Sequence, residues 1–120
     1  PEGAADGACS FAKGTLDHDF IADTICDGLR GTLGAINFEI LRNAGARVLT
    51  VDDAQVVAAM RLLWTRTKQL VEPSSATALA AVLANRALFE GRRVGIILSG
   101  GNVDLDALPA LFALATEARP

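Results

Sequence analysis

Hydrophobic and polar positions along the chain follow two periods in turn, one helical and one strand-like. Residues 4–12 have helical composition, and Gly14 stops them. Residues 15–24 are polar and irregular, and Gly28, Gly31 and Gly34 punctuate the stretch that follows. Ile36, Ile40 and Leu41 form one apolar edge of a helix predicted over 35–42, which Asn43-Ala44-Gly45 ends. The β-branched run 47–51 reads as a strand. Asp52, with Gln55 three residues on, is a capping-box start for the next helix. Val56, Met60, Leu63, Thr67 and Leu70 keep its period, while Arg61, Thr65, Arg66 and Lys68 hold the other side. Pro73 suits the first turn of a further helix to about residue 89, with Gly91 as its stop. That helix is apolar nearly all round, so burial between a sheet and an outer helix layer is expected. A second short strand at 94–98 and a helix over 106–115 complete the pattern.

Composition changes this picture in one respect. The 120 residues are 51% hydrophobic and the mean hydropathy is +0.33, which is apolar for so small a soluble domain, whose surface-to-volume ratio is high. The chain reads as a piece of a larger body, or as one whose helices are buried against another polypeptide. No run approaches the roughly 20 apolar residues of a membrane span, so no membrane is implied. A net charge of −3, with arginines scattered and only Arg92-Arg93 adjacent, argues against nucleic acid. Cys9 and Cys26 form neither a CxxC pair nor a metal quartet, and read as reduced thiols of a cytoplasmic protein. No repeat or linker separates a second domain.

Candidate chemistry gathers in three segments. The run Val94-Gly95-Ile96-Ile97-Leu98-Ser99-Gly100-Gly101-Asn102 carries a strand into a turn ahead of a helix. Open α/β sheets bind ligands at such junctions, because strand carboxyl ends and helix amino ends face one crevice. Val71-Glu72-Pro73-Ser74-Ser75-Ala76 places a carboxylate at a helix start, and Asp23-Thr24-Ile25-Cys26-Asp27-Gly28-Leu29 is a loop with a glycine. In this order and spacing, the three resemble the second half of the pyridoxal-phosphate-dependent serine/threonine dehydratase and serine racemase family. The resemblance runs from Pro1 to about Leu114.

Several expectations follow from that resemblance. The fold would be α/β, a partial three-layer αβα unit from the large domain of a fold type II pyridoxal-phosphate enzyme, with residues 1–120 as one partial domain. The family's Ser-x-x-Lys-x-Arg-Gly motif, whose lysine anchors the cofactor, and its glycine-rich phosphate loop do not occur in this chain. The chain has two lysines, Lys13 and Lys68, and neither has that motif around it. A lysine-bearing amino-terminal half of the same enzyme is therefore an expected partner, and the isolated chain is expected to be inactive. No catalytic residue is assigned within these 120 residues.

Ser99 and Gly100 would contact pyridoxal 5'-phosphate, with Ser99 donating to the pyridine nitrogen. A hydroxyl donates to a neutral ring nitrogen but, unlike a carboxylate, does not hold a proton on it. Such a ring is a weak electron sink, which suits β-elimination. Glu72 and Gly28 would lie along the wall and edge of the cofactor site. Each also has an ordinary structural reading, Ser99 and Gly28 as turn residues and Glu72 as a helix-start carboxylate. Asp6 and the Ala4 carbonyl match a family site for a divalent cation, Mg²⁺, Ca²⁺ or Mn²⁺, all of which take oxygen ligands. A plain helix-start aspartate is the other reading. The string Asp17-His18-Asp19 reads as a solvated loop, since neighbouring side chains diverge.

By resemblance, the parent is a serine or threonine ammonia-lyase, which removes the β-hydroxyl of a hydroxy amino acid to give a 2-oxo acid and ammonia. Serine racemase and 3-hydroxyaspartate dehydratase are alternatives, as is a non-catalytic binding or assembly module built on the same fold. A homodimer is implied by family alone.

Overall fold

The computed structural model describes residues 1–117, with side chains described through Leu114. Among the described residues, six α-helices run in order: α1 (Asp6–Lys13), α2 (Ala35–Asn43), α3 (Asp53–Thr67), α4 (Pro73–Ala84), α5 (Arg86–Phe89) and α6 (Leu108–Glu117). Single 3₁₀ turns lie at Glu2–Ala4 and Asp27–Leu29.

Local chemistry accounts for most of the helix ends. Gly14 takes a left-handed φ of 73° after α1, a conformation that needs no Cβ. The box at the start of α3 forms reciprocally: Gln55 N–H donates to Asp52 Oδ1 at 2.6 Å and Asp52 N–H donates to Gln55 Oε1 at 3.1 Å. This helix ends at Thr67, short of Leu70, because Lys68 turns left-handed at φ 60°. Pro73 opens α4 as expected. The single helix predicted over 73–89 is instead two. Asn85 leaves helical geometry (φ −120°, ψ 40°). Its backbone N–H and its Nδ2 both donate to the Ala81 carbonyl, at 3.1 and 2.9 Å. Both donors thereby close α4, and α5 begins after the break.

The core lies between α3 and α4, and α6 packs against α3, bringing Leu108 and Phe112 to the same cluster. Val56, Ala59, Met60 and Leu63 of α3 meet Ala76 and Ala80 of α4. Cys26, Val51 and Val71 close the ends of this cluster. Trp64 meets Phe112 of α6 edge-to-face at 5.7 Å, and Arg61 lies over the same ring at 5.3 Å. Elsewhere α1 and α2 touch through Phe11 and Phe38, also edge-to-face, at 5.4 Å.

The two predicted strands do not form. Residues 47–51 and 94–98 are in neither helix nor ladder, and no strand occurs among the described residues. A β-branched run becomes a strand only when its N–H and C=O groups find a neighbouring backbone to pair with. Here one bond of that kind reaches the first run, from Glu2 N–H to the Val51 carbonyl at 2.8 Å. The second run stands out from the body, with Ile97 83% exposed. For the same reason α4 is only partly enclosed. Its first turn is buried, while Leu79, Val82 and Leu83 are half-buried.

Candidate functional site

The amino end of α4 draws the three sequence segments together. Trp64 sets the approach: its indole N–H donates to the Val71 carbonyl at 2.9 Å, which fixes the short link from α3. Glu72 follows as the extended residue before Pro73. Its N–H donates to the Gly100 carbonyl at 3.2 Å, and its Oε2 accepts from Asn102 N–H at 2.9 Å. The two bonds clip the 100–102 turn to the helix start, where the macrodipole favours a carboxylate. Ser74 reaches the third segment, its Oγ accepting from Gly28 N–H at 3.0 Å.

These contacts leave no room for side chains on the approaching backbones. A Cβ on Gly100 would lie 2.8 Å from Glu72 Oε1, and one on Gly101 would lie 2.5 Å from the Leu70 carbonyl oxygen. A Cβ on Gly28 would sit 3.0 Å from Ser74 Oγ and 3.9 Å from Glu72 Oε1. Gly28, Glu72 and Gly100 thus share one place. Ser99, immediately before Gly100, is exposed.

The loop that carries Gly28 is held from its other end. Asp53, the first residue of α3, accepts from Thr24 Oγ1 at 2.7 Å and from Ile25 N–H at 3.1 Å. Thr24 Oγ1 accepts in turn from Cys26 N–H at 3.2 Å. The Arg30 guanidinium donates to the Thr24 carbonyl through Nη2 at 2.9 Å and Nε at 3.3 Å. Sequence reasoning missed Asp53, Ser74 and Arg30. One signal was available for Asp53: a helix start needs one capping carboxylate, and the Asp52-Asp53 doublet offers two.

Asp6 and Ala4 lie in a second region. Together with Pro1, Leu33 and Asn37 they line an open cavity of about 330 Å³. Asp6 is buried, and its Oδ2 accepts from Leu33 N–H at 2.7 Å. Among the described residues, no group of three or more His, Cys, Asp or Glu side chains gathers to hold a metal.

The remaining titratable candidates point away from chemistry. Asp17 pairs with Lys13, whose hydrogen bond holds that carboxyl below its ordinary range, and His18 and Asp19 are exposed. Lys68 Nζ donates to the Thr65 carbonyl at 2.7 Å. Burial pushes the Cys26 thiol up, which suppresses the nucleophilic thiolate at neutral pH.

Residues 1–100 match the sequence profile of the family described as pyridoxal-phosphate dependent enzyme. The chain belongs to that family. It is 42% identical over 109 residues to the beta-hydroxyaspartate dehydratase of Paracoccus denitrificans, covering 91% of this chain and 35% of that protein. It is 38% identical over 113 residues to the serine racemase of Arabidopsis thaliana, covering 90% of this chain and 34% of the relative. Among solved structures, maize serine racemase superposes with a TM-score of 0.83 at 41% identity, over 92% of this chain and 36% of that one. The chain therefore spans about a third of the length of these pyridoxal-phosphate relatives. Through these neighbours the fold is part of an α/β domain of the fold type II class, although helices alone form among the described residues.

The residues present fit one end of the family's cofactor. The exposed Ser99 hydroxyl is able to donate to a ring nitrogen, whereas the bare faces of Gly28 and Gly100 are taken up by Ser74 and Glu72. For the phosphate end, both lysines are engaged elsewhere. Among the described residues, no helix is long and apolar enough to cross a membrane.

Proposed function

We propose that this chain forms the ring-facing wall of the active site of a pyridoxal-phosphate-dependent ammonia-lyase. Its substrate would be a hydroxy amino acid, serine or threonine, converted to a 2-oxo acid and ammonia. One observation carries the reading: Gly28, Glu72 and Gly100, distant in sequence, meet at the start of α4 with Ser99 exposed beside them. Bound pyridoxal phosphate supplies the electron sink that lets the substrate's Cα–H bond break and its β-hydroxyl depart. Ser99 Oγ–H would donate to the pyridine nitrogen of the bound group, and a hydroxyl, unlike a carboxylate, would not hold a proton on it. Glu72 holds the 100–102 turn and with it the position of Ser99. Gly28 and Gly100 would lie near the ring's edge, packed against Ser74 and Glu72.

Racemisation, or dehydration of 3-hydroxyaspartate, is the second reading, favoured by the names of the relatives. The covalent lysine and the phosphate loop come from outside these residues, in a cytoplasmic homodimer. Asp6 and the Ala4 carbonyl contribute to a Mg²⁺, Ca²⁺ or Mn²⁺ site. Asp6→Ala should weaken any thermal stabilisation of the full-length enzyme by these ions, and an unchanged shift removes that assignment.

Ser99 variants of the full-length enzyme test the main reading. Ser99→Ala removes a hydrogen bond worth about 0.5–1.5 kcal/mol net, so cofactor affinity should fall about two- to tenfold. Ser99→Asp should hold a proton on the ring, change the cofactor's visible spectrum and shift products from 2-oxo acid towards the racemised amino acid. If both variants match wild type in affinity, spectrum and products, Ser99 is a turn residue and the reading fails.

A further inference from the structure

We infer that Asp53 is a positioning residue that sets the Thr24–Gly28 loop against the cofactor wall. The inference rests on the function proposed above. Asp53 stands where an ordinary helix-start carboxylate would cap its own helix, yet that task is already discharged. Asp52 and Gln55 complete the box for α3 between themselves. Both Asp53 oxygens are spent across the chain instead, Oδ1 on Thr24 Oγ1 at 2.7 Å and Oδ2 on Ile25 N–H at 3.1 Å.

The acceptor is charged and its donors are a hydroxyl and an amide at the loop's first two residues. Such bonds are roughly twice as strong as neutral ones. Thr24 is buried and Cys26 fully so, which makes the alternative of water bonding costly. From that anchor the loop runs two residues to Gly28, whose N–H meets Ser74 Oγ in the first turn of α4. The loop is therefore pinned by α3 at one end and α4 at the other, and these two helices share the core. Release of the α3 anchor would leave Gly28 N–H shared between Ser74 Oγ and the neighbouring Asp27 Oδ1, and Thr24 held through the Arg30 grip on its carbonyl.

Asp53→Asn and Thr24→Val in the full-length enzyme test the inference, with Thr24→Ser as the conservative rescue. In cofactor-free protein, hydrogen exchange over residues 24–30 should accelerate about tenfold in Asp53→Asn and Thr24→Val, while the first turn of α3 keeps its protection. Pyridoxal phosphate, titrated by its visible absorbance, should bind each of the two about tenfold more weakly. Thr24→Ser should behave as wild type, and the double variant should lose less than the sum of the two single losses, because the two share the Thr24–Asp53 bond while Ile25 N–H and Cys26 N–H each depend on only one of them. A purely structural carboxylate would instead loosen α3 itself and leave cofactor affinity unmoved in the more conservative Thr24→Val. Wild-type affinity in both variants, with wild type binding the cofactor, overturns the positioning role alone. A wild-type enzyme that binds no pyridoxal phosphate overturns the proposed function and this inference with it.

Discussion

Gly100 and Gly101 are adjacent, yet adding one methyl to each should have different consequences. The Cβ of Gly101→Ala would stand 2.5 Å from the Leu70 carbonyl oxygen and 3.4 Å from its carbon. A carbon and a carbonyl oxygen come to about 3.3 Å at their closest comfortable approach, so roughly 0.8 Å must be found. Both sides of the clash are backbone. Leu70 cannot recede freely, because Val71 beside it is buried and its carbonyl holds the Trp64 indole. Forced repacking of this kind costs about 1–3 kcal/mol. The Cβ of Gly100→Ala meets only the Glu72 side chain, at 2.8 Å from Oε1, 3.1 Å from Cδ and 3.2 Å from Oε2. That side chain can rotate, for about 0.5–1.5 kcal/mol. Rotation surrenders the Asn102 N–H bond and moves the carboxylate away from the site. Urea denaturation should therefore find Gly101→Ala the less stable variant at an unchanged m-value. Pyridoxal-phosphate binding should suffer more in Gly100→Ala per unit of stability lost. Equal stability of Gly101→Ala and wild type would refute the close approach, and an equal loss in both variants would refute the distinction between yielding and unyielding neighbours.

Two further outcomes are expected. Cys26 is fully buried and its thiol is raised by that burial, so a thiol reagent should label Cys9 first and reach Cys26 only on unfolding. Because the folded state keeps that proton more tightly, Cys26 favours folding below the ordinary thiol value of 9.0, and this contribution is lost as pH rises beyond it. Cys26→Ala should flatten that alkaline fall in a pH series of unfolding free energies, and an unchanged slope would sink the assignment. Lys68 occupies a left-handed position, which costs a side-chain-bearing residue about 1 kcal/mol. Lys68→Gly should raise the denaturation midpoint, and a lowered midpoint would mean that its bond to Thr65 outweighs the strain.

What the sequence makes legible here is mainly local. The Asp52–Gln55 box, Pro73 at the head of α4 and the glycine after α1 depend on residues within one turn of each other, and each stands where its chemistry puts it. The break at Asn85 was hidden because helix-forming residues continue on both sides, and only the amide's choice of the Ala81 carbonyl ends α4. The strand readings at 47–51 and 94–98 rested on side-chain type, whereas a strand is a property of two backbones. At the site, the resemblance named Gly28, Glu72 and Gly100, and the structure gathers them. Asp53 and Ser74 act on residues 29 and 46 positions away, separations that no periodicity can reveal.

The unpaired segment 94–98 has a bearing on handling the protein. Val94, Ile97 and Leu98 are exposed, and the run carries no charge and no proline. An exposed apolar run outside any ladder is a template onto which a second copy can add its own. Concentrated solutions are therefore expected to self-associate through this edge. Arg92 and Arg93, directly preceding it, are its gatekeepers, since stacking copies would bring these like charges together. Their repulsion is screened by salt, so solubility should fall as ionic strength rises and recover when the edge is shielded.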